Sequence, residues 1–457
     1  MTRPAPLRLA VTLLCVALAG AACSSKSDRD RSGPLSPGPL AATELQLRLI
    51  EAKPGTTITL AAGKFEIVDG LSLAVDRVTL RGAGPDATIL SFAGQTTAGE
   101  GLLVTADDVR LEGFAIEDTR GDGIKSKGAD RIIYRDLRVE WTGGPSEKNG
   151  AYGIYPVESQ DVLIDSVTVR GASDAGIYVG QSRNIIVRKS RAEFNVAGIE
   201  IENSSQADVF DNIVTRNSGG ILVFNLPDLP IKDGRDIRVF DNQVFANDTP
   251  NFAPPGNIVA SVPTGTGIMV MAARGVHIFR NQLRLNRTAH VLVAAYFLPT
   301  KDAAYDPLPH RVVLRDNVYG PGGDDPQGML RPLARAMGGR LPSVVWDGVD
   351  TYGGVTVEGS LDMLEDGSVG FIDLGLVSTP VDFATARPRM TRPAPSPRMP
   401  VEPPPVRLAF DPAMPPSAEP SPDAPATGVP ADPLQAIKGI QERLQTLQPA
   451  APSKDGP

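Results

Sequence analysis

The chain has 457 residues, enough for one large domain with appendages, and 41% of them are hydrophobic while only 5% are aromatic. A formal charge of −8 and a pI near 5.2 leave no basic footprint of the kind that nucleic-acid binding needs. Two cysteines, Cys15 and Cys23, exclude a disulfide framework.

In chain order, Arg3 and Arg8 supply a positive start, Leu9 to Leu18 an apolar run too short to span a bilayer, and Ala19-Gly20-Ala21-Ala22 a small-residue cleavage zone before Cys23. Small residues directly before a cysteine, with a polar tether after it, resemble a bacterial lipoprotein signal, although Gly20 stands where that family usually has Leu. The resemblance implies that residues 1–23 are the signal, that Cys23 carries the lipid, and that 24–41 is a flexible tether. Ser24 is similar to the residue that sends such lipoproteins to the outer membrane. The expected location is therefore the bacterial cell envelope, facing the periplasm or the cell surface.

Next, Thr43 is placed to cap a short amphipathic helix, Glu44 to Lys53, with Leu45, Leu49 and Ile50 on one face. From there the chain repeats. Gly123-Ile124, Gly153-Ile154, Gly176-Ile177, Gly198-Ile199, Gly220-Ile221, Gly267-Ile268 and the weaker Ala289-His290-Val291 each open a short alternating apolar strand, at intervals of 30, 23, 22, 22, 47 and 22 residues. A period of about 20–25 residues with short strands is a solenoid signature. A second ladder runs in phase with it and ends in a recurring asparagine: Asn212, Asn242, Asn281 and Asn317. Asparagine at a turn tolerates a left-handed backbone and can bond to its equivalent one coil away. The expected fold is all-β: a right-handed single-stranded parallel β-helix over residues 42–385, capped by the N-terminal helix.

Two excursions interrupt the coils, Trp141 to Tyr152 and Leu226 to Pro263, and loops of that length on a solenoid commonly build its binding surface. Residues 386–433 are rich in proline and are expected to be extended and disordered; 434–457 return to helical rhythm as a short amphipathic helix and tail.

The runs Asp174-Ala175-Gly176-Ile177-Tyr178-Val179-Gly180, Val196-Ala197-Gly198-Ile199-Glu200-Ile201-Glu202 and Gly219-Gly220-Ile221-Leu222-Val223-Phe224 resemble an exported bacterial family of parallel β-helix repeat proteins whose biochemical role is unsettled. More distantly, the repeats resemble the β-helices of pectate lyases, alginate lyases and mannuronan epimerases. Tyr152-Gly153-Ile154-Tyr155-Pro156-Val157-Glu158 is similar to the epimerase motif Tyr-Gly-Phe-Asp-Pro-His-Glu, but Tyr155 and Val157 replace its Asp and His. The resemblance therefore implies the fold without the epimerase mechanism.

Strand alternation gives candidate chemistry. With the Ile after each Gly pointing inward, the outward pairs are Lys125/Lys127, Tyr155/Val157, Tyr178/Gly180, Glu200/Glu202, Leu222/Phe224 and Met269/Met271. This face suits a polysaccharide, in particular an acidic sugar polymer. Tyr155 and Tyr178 would stack on sugars or act as base, Lys125 and Lys127 would neutralise a uronate, and Glu200 with Glu202, about 7 Å apart on one strand, have the separation of an inverting glycosidase pair. Tyr152, Glu158, Asp174, Gln181 and Asn203 are the further candidate substrate contacts. The apolar end, Phe224, Met269 and Met271, must be covered, and the 226–263 excursion is the candidate cover.

Whether turnover occurs stays open between lyase or epimerase chemistry and hydrolysis. The alternative is a non-catalytic scaffold that docks another exported protein through the proline-rich tail and the terminal helix. No cofactor or metal is expected from the spacing of the three histidines; Gly322-Gly323-Asp324-Asp325 is the one turn with the oxygen-rich character of a calcium site.

Overall fold

The computed structural model describes residues 33–97, 99–349, 354–357, 370–376 and 400–411. The expected signal with Cys23, most of the proline-rich segment and the helix expected at 434–457 lie outside the described residues.

The chain winds as a parallel β-helix. One sheet stacks eleven strands in sequence order, from Leu71–Leu73 through Ile124–Lys127, Tyr152–Val157, Ala175–Gly180, Ala197–Glu202, Gly219–Phe224, Thr266–Met271 and Ala289–Ala294 to Val344–Trp346 and Phe371–Asp373. A nineteen-stranded sheet forms the remaining walls, and the strand pairings are parallel throughout. The Ile and Val following each repeat glycine make an inward ladder, Ile124, Ile154, Ile177, Ile199, Ile221, Ile268 and Val291, all 0% exposed. The glycines themselves are set by crowding. A Cβ on Gly220 would lie 2.3 Å from the Gly267 carbonyl oxygen, and one on Gly267 would lie 2.5 Å from that of His290. Coils stack at the strand spacing of about 4.8 Å, and only a residue without a side chain fits this corner.

Two asparagine ladders run through the turns, one more than the sequence disclosed. Asn212, Asn242, Asn281 and Asn317 form the first, each backbone N–H donating to the next side-chain Oδ1 at 3.0 Å. Asn195, Asn217, Asn247 and Asn286 form the second. The left-handed backbone belongs not to the asparagines but to the residue before each: Asp211, Asp241, Arg280 and Asp316 have φ between 53° and 55°. The preceding residue makes the turn, and the asparagine amide then reads the neighbouring coil.

Helix α1 (Ala41–Glu51) closes the first coil, burying Ala41, Leu45 and Leu49. It starts earlier than expected, without a side-chain cap, and Ile50 is 62% exposed rather than packed. Gln46 explains how the open sheet edge is protected: its side chain donates to the Ser72 carbonyl at 3.1 Å and accepts the Ser72 N–H at 2.9 Å.

One part of the proline-rich segment departs from the expectation of disorder. Residues 400–411 lie against the outside of the nineteen-stranded sheet, with Val406 and Leu408 buried. The composition denies them a helix or a ladder, but ion pairs to the solenoid hold them without either.

Candidate functional site

The register of the eleven-stranded sheet aligns the outward residues as the alternation predicts. Lys125 pairs with Tyr155, Tyr178 with Glu200, Glu200 with Leu222, and Leu222 with Met269. The face is nevertheless not an open groove along its length. The 226–263 excursion, including the 3-10 turn Ile258–Ser261, lays Val259 and Val262 over Leu222 and Phe224 in a second apolar cluster. Leu330, Ala334 and Leu341 join that cluster with Met269 and Leu292. The proposed covering of Phe224, Met269 and Met271 is thus present, and it extends further than the sequence suggested. Tyr178, Glu200 and Glu202 are 4%, 1% and 7% exposed.

Beneath the cover sits an ionisable cluster. Tyr152, Tyr155 and Tyr178 pack ring against ring, with centroids 4.5–5.0 Å apart. A Cβ at Gly180 would meet the Tyr178 ring at 2.5 Å, so its absence lets that ring lie along the strand, and the hydroxyl donates to Glu202 Oε1 at 2.6 Å. Asn257 of the excursion donates to Asp174 Oδ2 at 3.0 Å. Glu200 is buried with no hydrogen-bond partner for either carboxyl oxygen among the described residues. Burial pushes the Glu202 and Asp174 carboxyls up to about 7, with the Glu202 charge adding to the rise at Asp174, and it raises Glu200 well above the carboxylate range. Burial also raises the Tyr155 phenol to about 12 and drives Tyr152 and Tyr178 higher still.

These positions correct the roles expected of several residues. The Glu200/Glu202 pair lies two residues apart on one buried strand, with no access to a polymer. Tyr178 is committed to Glu202, and none of the three phenols is poised to ionise near neutrality. Asn203 is fully buried and spends its amide on the excursion, donating to the Leu226 and Ile231 carbonyls at 2.9 and 2.7 Å and accepting the Leu226 N–H at 2.8 Å. Glu158, Gln181 and Asn203 also share a left-handed turn backbone, which accounts for their regular recurrence. At the calcium-like turn, Asp324 and Asp325 face Arg287 at 3.5 and 3.3 Å, so a guanidinium already neutralises both.

Two open regions flank the half-buried Tyr155. At the entry ends of the strands lies a cleft of about 290 Å³, lined by Glu100, Arg120, Asp122, Asn149, Ser173 and Asn257. Asp122 is held up to about 6 by burial, against the pull of Lys125. At the exit ends lies a shallow polar groove of about 750 Å³, lined by Glu158, Gln160, Gln181, Arg183, Ser205 and Arg235, with Ile231 of the excursion among its walls. Between them, Lys125 Nζ stands 4.9 Å from the Tyr155 ring centroid. Lys125 is also 3.1 Å from Glu100 and 3.8 Å from Asp122, and Lys127 is 3.9 Å from Glu158. Both lysines are therefore neutralised within the chain, which weakens the case for an acidic polymer.

Sequence reading brought Lys125, Lys127, Tyr152, Tyr155, Glu158, Asp174 and Gln181 to this region but missed Asp122, Glu100, Asn149 and Asn257. Asp122 was signalled by its place just before Gly123, where its side chain accepts the Tyr152 N–H of the next coil at 3.2 Å. Asn257 gave no signal, because it belongs to an irregular loop.

Residues 81–296, a little under half the chain, match the family model described as "Right handed beta helix region". No curated protein matches the sequence. Among solved structures, a mannuronan C-5 epimerase A-module of Azotobacter vinelandii is 14% identical, with a TM-score of 0.46, covering 72% of this chain and 91% of that one. A family 28 exopolygalacturonase of Yersinia enterocolitica is 13% identical with a TM-score of 0.43, over 72% of this chain and 70% of that one. An alginate lyase of a Paenibacillus species is 18% identical with a TM-score of 0.31, over 63% and 96%. The chain is a right-handed parallel β-helix.

Proposed function

We propose that this chain binds a polysaccharide across the strip that joins the cleft, Tyr155 and the polar groove. The observation that supports this is the pairing of one half-buried aromatic ring with two open, hydrogen-bonding surfaces on either side of it. Small apolar ligands favour enclosed apolar pockets, whereas an extended, hydroxyl-rich chain matches a shallow groove of Gln, Arg, Ser and Asp side chains. Tyr155 offers a ring on which a sugar can stack. The paired lysines favour neutral sugars over uronates. The location goes with this reading: lipid on Cys23 would hold the solenoid at the envelope, where such polymers lie.

Full-length chain titrated against neutral and acidic polysaccharides by calorimetry is expected to bind a neutral polymer. Tyr155→Ala should then weaken binding about tenfold, the order of a lost stacking contact. Equal affinity of the variant, or preference for uronate polymers, would remove this reading. Mass analysis of the same mixtures asks about turnover; new products would make Asp122, lining the cleft and held near 6, the first carboxyl to replace. For the anchor, Cys23→Ser is expected to move the chain from the membrane fraction to the soluble fraction of the producing cells. Unchanged fractionation would dismiss lipidation at that residue.

A further inference from the structure

The side of the nineteen-stranded sheet that carries residues 400–411 is not an ordinary solenoid wall. Two outward columns run along it in register. One reads Asp165, Arg188, Phe210, Phe240, Phe279, Arg315, and the other Leu163, Ile186, Asp208, Arg238, His277, Val313. The three phenylalanines stack face to face with centroids 4.9 Å apart. Arg238 lies over Phe240 at 4.7 Å and Arg315 over Phe279 at 4.1 Å. The result is an aromatic trough with a guanidinium at each end.

The segment Pro400-Val401-Glu402-Pro403-Pro404-Pro405-Val406-Arg407-Leu408-Ala409-Phe410-Asp411 runs along this trough, across successive strands, from the Arg315 coil back to the Arg188 coil. Glu402 sits between Arg238, at 3.3 Å, and Arg315. At the other end Asp411 meets Arg188 at 2.7 Å. Between them the Val406 N–H donates to Asp208 Oδ2 at 3.0 Å, the same carboxylate that Arg238 engages at 2.9 Å. Pro403 and Val406 are buried while Val401, Pro404 and Arg407 are exposed. A spacing of three, held from Val401 to Arg407 and ended where Leu408 rather than Ala409 is buried, is the repeat of a polyproline II strand. The strap therefore reads as a ligand would: a stiff acidic strand, anchored by a carboxylate at either end of the column of stacked rings. Aromatic-lined grooves recognise proline-rich strands in just this way, because the preformed strand loses little entropy on docking.

We propose that this wall is a recognition groove for extended, acidic, proline-rich peptide, and that residues 400–411 are its ligand in cis. The reading is independent of any sugar bound at Tyr155, which lies on the other sheet. A tethered ligand acts at an effective concentration of the order of millimolar, so the groove of the intact chain is occupied and closed to dilute competitors.

The test uses the full chain with residues 400–411 replaced by a Gly-Ser stretch of equal length, and a fluorescent synthetic peptide of the native 400–411 sequence. Saturable binding to the replaced chain, at least tenfold weaker binding to the native chain, and loss of binding when the peptide carries Glu402→Lys are expected. A replaced chain that keeps its β-sheet circular dichroism but does not bind would overturn the proposal. Should the replaced chain not fold, hydrogen exchange on the native chain decides. Excess peptide at several millimolar should displace the strap and speed exchange of the Val406 amide. An unchanged amide would mean a fixed structural strap rather than a ligand.

Discussion

Asn242→Ala is expected to destabilise the solenoid by about 3–5 kcal/mol, since it leaves several buried polar groups unpaired at about 1–3 kcal/mol each. Asn242 is 1% exposed and fully engaged. Its Oδ1 accepts the Asn212 N–H and the Asn212 amide, both at 3.0 Å, and its Nδ2 donates to the Val209 carbonyl at 2.9 Å and to Asn281 Oδ1 at 3.0 Å. Alanine supplies none of these and admits no solvent to replace them. Urea titration followed by circular dichroism measures the loss. Asn251→Ala is unsuitable as a control because that half-buried amide holds the excursion; Gln282→Ala, in an exposed position on a neighbouring coil, should change little. A cost at Asn242 no larger than at Gln282 would mean that the ladder carries no special burden.

The second large effect is a pH dependence opposite to that of most proteins. Asp122 is held up to about 6, and Asp174 and Glu202 to about 7, by burial. In the unfolded chain such groups titrate near 4. The folded state therefore keeps protons that the unfolded state has released, and stability falls as pH rises between those values. It is fully present below about pH 4 on account of these groups and lost by the time pH passes about 7. Carboxyls held low by arginine, such as Asp165 beside Arg188, act in the other direction in acid, and the buried His277 and His290, pushed down to about 4, oppose the decline between about pH 4 and pH 6.5. The melting temperature should thus decline from about pH 6.5 to pH 8, where the histidines no longer titrate. Glu202→Gln keeps an acceptor for the Tyr178 hydroxyl, removes one titration, and relieves the charge that raises Asp174. It should flatten the decline and melt higher than the native chain at pH 8. An unaltered slope would place the protons elsewhere.

The repeat made the architecture readable, because a stacked coil repeats its constraints: the crowded glycine corner, the inward Ile column and the asparagine turn recur at one period. Register followed for the same reason, and with it the order Lys125, Tyr155, Tyr178, Glu200 along the face. Exposure did not follow. Whether Glu200 meets solvent depends on Val259 and Val262, which lie in a loop without period, and strand alternation distinguishes inside from outside but not one layer of cover from none. The second asparagine ladder was hidden by less uniform neighbours, Phe194, Arg216, Ala246 and Leu285, before its members. The strap was hidden by its own composition, since proline content speaks about hydrogen-bonded structure and not about ion pairs.

The strap also alters how the molecule would come apart. In a solenoid each coil touches only its neighbours, so the end coils fray first and the rest peel away in turn. Residues 402–411 instead bind coils from 183–188 to 312–315, separated by four coil steps or about 19 Å at the strand spacing. Pulled from its C-terminal coils, the protein would not unwind turn by turn. It would resist until Glu402 and Asp411 let go, and the stretch they bridge would then yield as one block, like a laced seam rather than a loose spring.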